Sequence, residues 1–104
     1  MVERYLYLTT IGRISGNPRE IEIWFCELKG KYYIVSHLFD RANWVQNIRK
    51  NPKVSFRVCE STYEGQGRIL DPSKEPVLCA GVKRRSEEKY TWSDGLIVEL
   101  RHSE

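Results

Sequence analysis

Residues 5–25 read YLYLTTIGRISGNPREIEIWF, and the reading of this stretch decides the fold. Tyr, Leu, Thr and Ile crowd Tyr5–Ile11, the composition of a pleated strand. The first strand is expected from Arg4 to Ile11. Gly12, Gly16, Asn17 and Pro18 then supply the backbone geometry of a turn. From Arg19 to Leu28 the chain alternates, with Ile21, Ile23 and Phe25 on one face and Glu20, Glu22 and Trp24 on the other. Two strands flanking one loop predict an antiparallel hairpin.

The pattern continues outward. Lys29-Gly30-Lys31 is a hairpin turn. Tyr32–His37 carries no charge between its ends and reads as a central strand covered on both faces. Asp40–Asn51 changes to helical period, with Asp40 as N-cap, Trp44 and Ile48 four apart, and Pro52 as the stop. Lys53–Cys59 returns to period two, placing Val54, Phe56 and Val58 inward. Thr62–Leu70 is another strand, whose Gly65 and Gly67 suggest a bulge or a barrel corner. A second helix is expected from Ser73 as N-cap to about Lys89. Its first turn holds Pro76, Val77, Leu78, Gly81 and Val82 form its apolar side, and its end, including Lys89, is solvated. Gly95 leads into a last strand at Leu96–Leu100. The order β, β, β, α, β, β, α, β gives a mainly β (α+β) chain: six largely antiparallel strands that can curl into a small barrel, with two helices.

The totals narrow the function. A chain of 104 residues suits one domain spanning 1–104. With 40% hydrophobic and 30% charged residues it is globular. A net charge of +3 permits an anionic ligand without demanding nucleic acid. Cys26, Cys59 and Cys79 match no zinc spacing and read as packing residues of a reduced protein, Cys26 and Cys59 in strands. With only His37 and His102 present, no histidine metal site is expected. No signal peptide and no apolar run of about 20 residues is seen, so the expected setting is cytoplasmic, without a membrane partner.

A turn does not need Arg13, Ser15 or Arg19. Arginine forks match phosphate oxygens, and glycines let backbone amides approach an anion. The loop therefore reads either as a phosphate or carboxylate cradle or as solvated arginines paired with Glu20 or Glu22. The exit of the third strand adds Ser36 and His37, and the start of the first helix adds Asn43 and Trp44, where negative charge is favoured. On position alone Trp44 reads first as core packing, and His37 as a plain hydrogen-bonded or exposed histidine. No nucleophile or acid–base pair stands out, so an external cofactor would carry any chemistry.

The strings TTIGRISGNPR, YYIVS, NWVQNIRKNPKVSFRV and GQGRIL, in this order, resemble the deazaflavin-dependent nitroreductase group within the pyridoxamine-phosphate-oxidase-like superfamily. The resemblance implies a split β-barrel that binds FMN or the deazaflavin coenzyme F-420. It implies phosphate contacts from Arg13, Ser15, Gly16 and Arg19, and a ring lying along Ile21, Glu22, Ile23 and Trp24. Ser36, His37 and Leu38 would approach the ring, Asn43 and Trp44 would help close the site, and Asn47 and Arg49 are further candidates. Members of the family often carry lysine where this chain has Ile14, which weakens the case for a long anionic tail and keeps FMN in play. Relatives often begin with an extra helix near the substrate pocket, whereas this chain starts almost at its first strand. A second subunit is therefore expected to share in substrate binding, in a homodimer.

Three functions follow. The first is an oxidoreductase passing hydride or electrons from reduced cofactor to a small acceptor such as a quinone or nitro compound. The second is a non-catalytic carrier or sensor for flavin, heme or another planar ligand. The third is a single-strand nucleic-acid module, which the modest charge disfavours. Tyr32, Tyr33, Tyr63 and Tyr90 are read as packing residues.

Overall fold

A computed structural model describes residues 5–102 of the chain, so Arg4 lies outside the described residues. The elements are β1 (Tyr5–Ile11), β2 (Pro18–Trp24), β3 (Cys26–Leu28), β4 (Lys31–Ser36), α1 (Asn43–Lys50), β5 (Lys53–Val58), β6 (Ser61–Ile69), α2 (Pro76–Tyr90) and β7 (Leu96–His102). All ladders are antiparallel, in the order β2-β1-β5-β6-β7-β4-β3. There are seven strands rather than six, because the expected strand Arg19–Leu28 breaks at Phe25 into β2 and β3.

That break shapes the fold. β2 and β3 follow one another in the chain yet occupy opposite ends of the sheet. Side chains from strands across the order, including Leu8, Phe56, Ile34 and Val98, meet in one core, so the sheet curls on itself. It does not close: β2 has no ladder with β4. The result is a split barrel with a seam between these strands. Phe25 is buried at the bend, and its backbone is held from α2. The Tyr90 hydroxyl accepts the Phe25 N–H at 3.0 Å and donates to the Phe25 carbonyl at 2.6 Å. Lys89 donates to the same carbonyl at 2.8 Å and sits 3.8 Å from the Phe25 ring centre. Lys89 and Tyr90 therefore fix the bend rather than end a solvated helix.

Helix α1 closes one end of the barrel, burying Val45 and Ile48. It begins at Asn43 rather than Asp40; a 3-10 turn at Phe39–Arg41 intervenes, and Asp40 makes no capping bond. Gly67 is a close-approach site: a Cβ there would stand 3.0 Å from the Ile48 side chain. Leaving out that methyl lets α1 settle onto β6.

Helix α2 covers the outside of β3, β4 and β7, where Cys79 and Val82 pack on Cys26, Tyr33, Leu70 and Ile97. Val77 is 85% exposed, so the apolar side is Leu78, Cys79 and Val82 instead. Ser73 is not the cap. It bonds Asp71 in a turn before the helix, and Glu75 stands at the N-cap position with Pro76 at the helix start. Cys59 also departs from expectation: it is exposed in the β5–β6 turn at φ +56°. β4 is paired on both edges as a buried strand should be, although it is next to last in the order.

Beneath the start of α2 lies a buried carboxylate. Glu99 is 1% exposed and accepts from Tyr33 Oη (2.8 Å), Arg68 Nε (3.1 Å) and Arg101; Arg68 also reaches Glu75. Burial alone would raise the Glu99 carboxyl, but the bonds from Arg68, Arg101 and Tyr33 outweigh it and hold it below its ordinary value. Burial and the Glu99 carboxylate together push the Tyr33 phenol up.

Two outcomes are expected. Val82→Ala should cost about 2 kcal/mol, from lost transfer energy and the cavity left behind, while Val77→Ala should change stability by less than about 0.5 kcal/mol; urea midpoints compare them. Because Glu99 is depressed in the fold, its stabilisation is complete above the ordinary carboxylate value of 4.5 and lost as pH falls below it. Glu99→Gln should flatten the fall in stability between about pH 5 and pH 3; an unchanged slope would remove Glu99 as its cause.

Candidate functional site

The seam opens into a cleft of ≈ 1500 Å³. Of the thirteen candidate residues twelve line it: Arg13, Ser15, Arg19, Ile21, Glu22, Ile23, Trp24, Ser36, His37, Leu38, Asn43 and Trp44. Gly16 does not; at φ +75° it serves the turn, donating its N–H to the Gly12 carbonyl at 2.8 Å. Asn47, a further candidate from the resemblance, lines it too, and so do Tyr5, Thr10, Glu20, Val35, Ala42 and Trp92, which the sequence reading does not single out for the site.

The β2 wall follows from the ladder. Gly12 N–H donates to the Asn17 carbonyl at 2.8 Å, which makes that pair a hydrogen-bonded rung. Rungs alternate in an antiparallel ladder. Ile11–Pro18 is then an unbonded rung, as a proline lacking N–H requires. Two residues further on each time, Glu20, Glu22 and Trp24 direct their backbone N–H and C=O away from β1, towards the seam. The strand thus offers a row of backbone donors and acceptors to the cleft. The Glu22 side chain goes elsewhere: its carboxylate bonds the phenol of Tyr7, opposite it on β1, and raises that phenol above its ordinary value.

At one end of the cleft the loop binds α1. Arg13 Nη1 donates to Asn47 Oδ1 (2.9 Å) and the Asn43 carbonyl (3.4 Å), and Nη2 donates to Asn43 Oδ1 (3.2 Å). The Arg13 backbone N–H also reaches Asn47 Oδ1, at 3.2 Å. All these acceptors are neutral. Arg13 and Arg19 are both exposed, and among the described residues no ion pair joins either of them to a carboxylate. Ser15 Oγ accepts the Asn17 N–H at 3.2 Å and shapes the turn. Arg49 is not in the wall; it stands 4.0 Å from Asp40.

The opposite wall is less polar. The Ser36 hydroxyl donates to the Phe39 carbonyl at 2.9 Å and is buried. It stabilises Phe39 at φ +55°, a conformation that costs a non-glycine residue about 1–2 kcal/mol. Ser36 therefore shapes the rim, and its side chain is already committed. His37 and Leu38 are exposed beside it. Trp44 serves both readings, half-buried against the core and lining the cleft. Trp24 stacks on Tyr90 at 4.4 Å with 3° between planes, and Trp92 meets it edge-on at 6.5 Å. Tyr90 is thus part of the cleft's support as well as of the packing. Among the described residues no group of three His, Cys, Asp or Glu side chains gathers to hold a metal, and no helix is long and apolar enough to cross a membrane.

The arrangement suits a planar ligand with an anionic end: uncompensated cations at one end, apolar walls and free backbone groups along the seam, and aromatic rings at the other end. Residues 1–94 match the F420H(2)-dependent quinone reductase family. No curated protein matches the chain. Among solved structures, a conserved hypothetical protein from Mycobacterium tuberculosis is 21% identical, with TM-score 0.79, over 97% of this chain and 74% of its own. The heme storage protein HutZ from Vibrio cholerae is 17% identical, with TM-score 0.79, over 98% and 83%. An F420-H2 dependent reductase is 23% identical, with TM-score 0.66, over 94% of both. At these identities the structures share the fold.

Tyr90→Phe keeps the ring under Trp24 but leaves the Phe25 N–H without its partner. It should cost about 1–3 kcal/mol and alter Trp24 emission; a variant as stable as the parent would mean that the bend does not depend on this bond.

Proposed function

The chain belongs to the F420H(2)-dependent quinone reductase family, and from that premise we propose that its seam cleft holds the reduced deazaflavin coenzyme for delivery of hydride to a small acceptor such as a quinone or nitro compound. One observation carries the reading: Arg13, held by neutral asparagines and free of any carboxylate partner among the described residues, lines with Arg19 a cleft whose walls also carry Ile21, Ile23, Trp24 and Trp44. A phosphate group fits there by charge and by donor chemistry.

The coenzyme when bound supplies the hydride. The chain's own residues bind and shelter it. Arg13 and Arg19 would hold the phosphate, and the backbone groups of Glu20, Glu22 and Trp24 would meet the polar edge of the ring. Ile21, Ile23 and Trp44 would keep water from its face, which preserves a reactive reduced ring. FMN has the same two parts, a phosphate and a planar ring, and remains the competing ligand in the test below; the family supports the deazaflavin. Tyr5, Trp24, Leu38 and Phe39 are large exposed apolar side chains at or beside the cleft rim, a rim suited to an acceptor and to a second copy of the chain in a homodimer.

A carrier reading rests on His37, exposed on the cleft wall, where an imidazole could ligate a heme-type iron. Turnover separates the two, since a carrier binds without speeding oxidation of reduced coenzyme by any acceptor.

Titrations of the protein with deazaflavin coenzyme and with FMN, followed by tryptophan quenching, test the proposal. Arg13→Ala and Arg19→Ala should each weaken coenzyme binding about 10- to 100-fold, the loss expected for a charge-assisted hydrogen bond of about 1.5–3 kcal/mol, with melting temperature nearly unchanged. Unaltered affinity in both variants would sink the phosphate assignment.

A further inference from the structure

We propose that Asn47 is a positioning residue that, with Asn43, holds Arg13 as a side-on fork for a single phosphate group. The inference rests on the phosphate reading above and adds how the cation is held and which of its edges is presented.

The guanidinium has five N–H donors. Three are taken: both on Nη1, by the Asn47 side chain and the Asn43 carbonyl, and one on Nη2, by the Asn43 side chain. The remaining two are the Nε–H and the second Nη2–H. Among the described residues neither has a partner. Asn43 accepts from both Nη1 and Nη2 and so takes the edge between them, which leaves the Nε–H and the Nη2–H beside it as a parallel pair suited to two phosphate oxygens at once. Asn47 is itself fixed. It is 5% exposed, and its Nδ2 donates at 3.0 Å to the hydroxyl of Thr10, which is 1% exposed. Its Oδ1 also accepts the Arg13 backbone N–H, so one amide sets both the loop's position and the orientation of its guanidinium. The acceptors being neutral, the clamp orders the cation without cancelling its charge. A carboxylate at position 47 would satisfy the same donors and remove the field that an anion feels.

The test follows the arginine Nε–H signals of the full-length protein by NMR, with Arg13 assigned through Arg13→Lys. Inorganic phosphate and deazaflavin coenzyme are titrated separately. The Arg13 signal should shift saturably with both. Asn47→Asp is nearly isosteric, and the Thr10 hydroxyl can turn from acceptor to donor, so the melting temperature should hold within a few degrees. Coenzyme affinity should nevertheless fall at least about tenfold, the scale of one strong charge-assisted bond, and the phosphate-induced shift should vanish. Arg13→Lys should lose about as much, because lysine keeps the charge but lacks the fork. If Asn47→Asp does not fold, Asn43→Asp makes the same comparison, since Asn43 is exposed and a carboxylate suits the first turn of a helix.

Parental affinity in Arg13→Lys, or in the folded aspartate variant, overturns the proposal. Coenzyme binding that leaves the Arg13 signal unmoved also overturns the fork, while leaving the reductase reading intact. A phosphate-responsive Arg13 in a protein that binds no deazaflavin supports the fork and overturns the reductase reading.

Discussion

The bend at Phe25 is the constraint on which the rest depends. One continuous strand from Arg19 to Leu28 would have kept β2 and β3 in line. Because the chain turns there, its two halves become the two ends of one curled sheet, and the ends cannot meet in a ladder. A closed barrel of this size fills with side chains; an unclosed one keeps a gap along its length. The bend is held from outside by the Tyr90 hydroxyl and the Lys89 ammonium on a single residue's backbone. Helix α2 lines none of the cleft yet holds the bend that opens it, supporting Trp24 from behind through Tyr90, and the Glu99 network anchors the other end of the same helix through Glu75.

Much of this was legible in the sequence because it rests on periodicity. The alternation through β2 and β5 shows their faces, the composition of Tyr5–Ile11 marks β1 as a strand, and the string of loop residues marks the place of the cations. Chemistry at single backbone positions was not legible. Nothing in the alternation of Glu20–Leu28 marks Phe25 as a bend, since Phe25 keeps the period and is buried as expected. Asp40 and Ser73 have the composition of caps, but both sit in turns one step before their helices. Val77 occupies an apolar position in the pattern and faces solvent, because α2 rolls its Cys79–Val82 side onto the sheet.

The candidate site was read more successfully at the level of segments than of atoms. Ser36, named for its place at the strand exit, lines the cleft, but its hydroxyl is committed to Phe39. Glu22 and Trp24 both line the cleft, but the Glu22 carboxylate turns to Tyr7. The role of Asn47 rests on a contact across 34 positions of the chain, which no local pattern reports. The resemblance brings Asn47 in as a further candidate, and its spacing four from Asn43 puts the two on one side of the helix.

The open seam also bears on how the chain survives in a crowded solution. A strand with an unpaired edge is a template on which another chain can add itself, and uncontrolled addition leads to fibres. β2 begins with Pro18, which cannot donate to a new partner, and continues with Arg19, Glu20 and Glu22. Charges of both signs along a short edge must be desolvated before a foreign strand can dock. The acidic residues that alternate through β2 thus act as sentries that make the open edge inhospitable to a second strand.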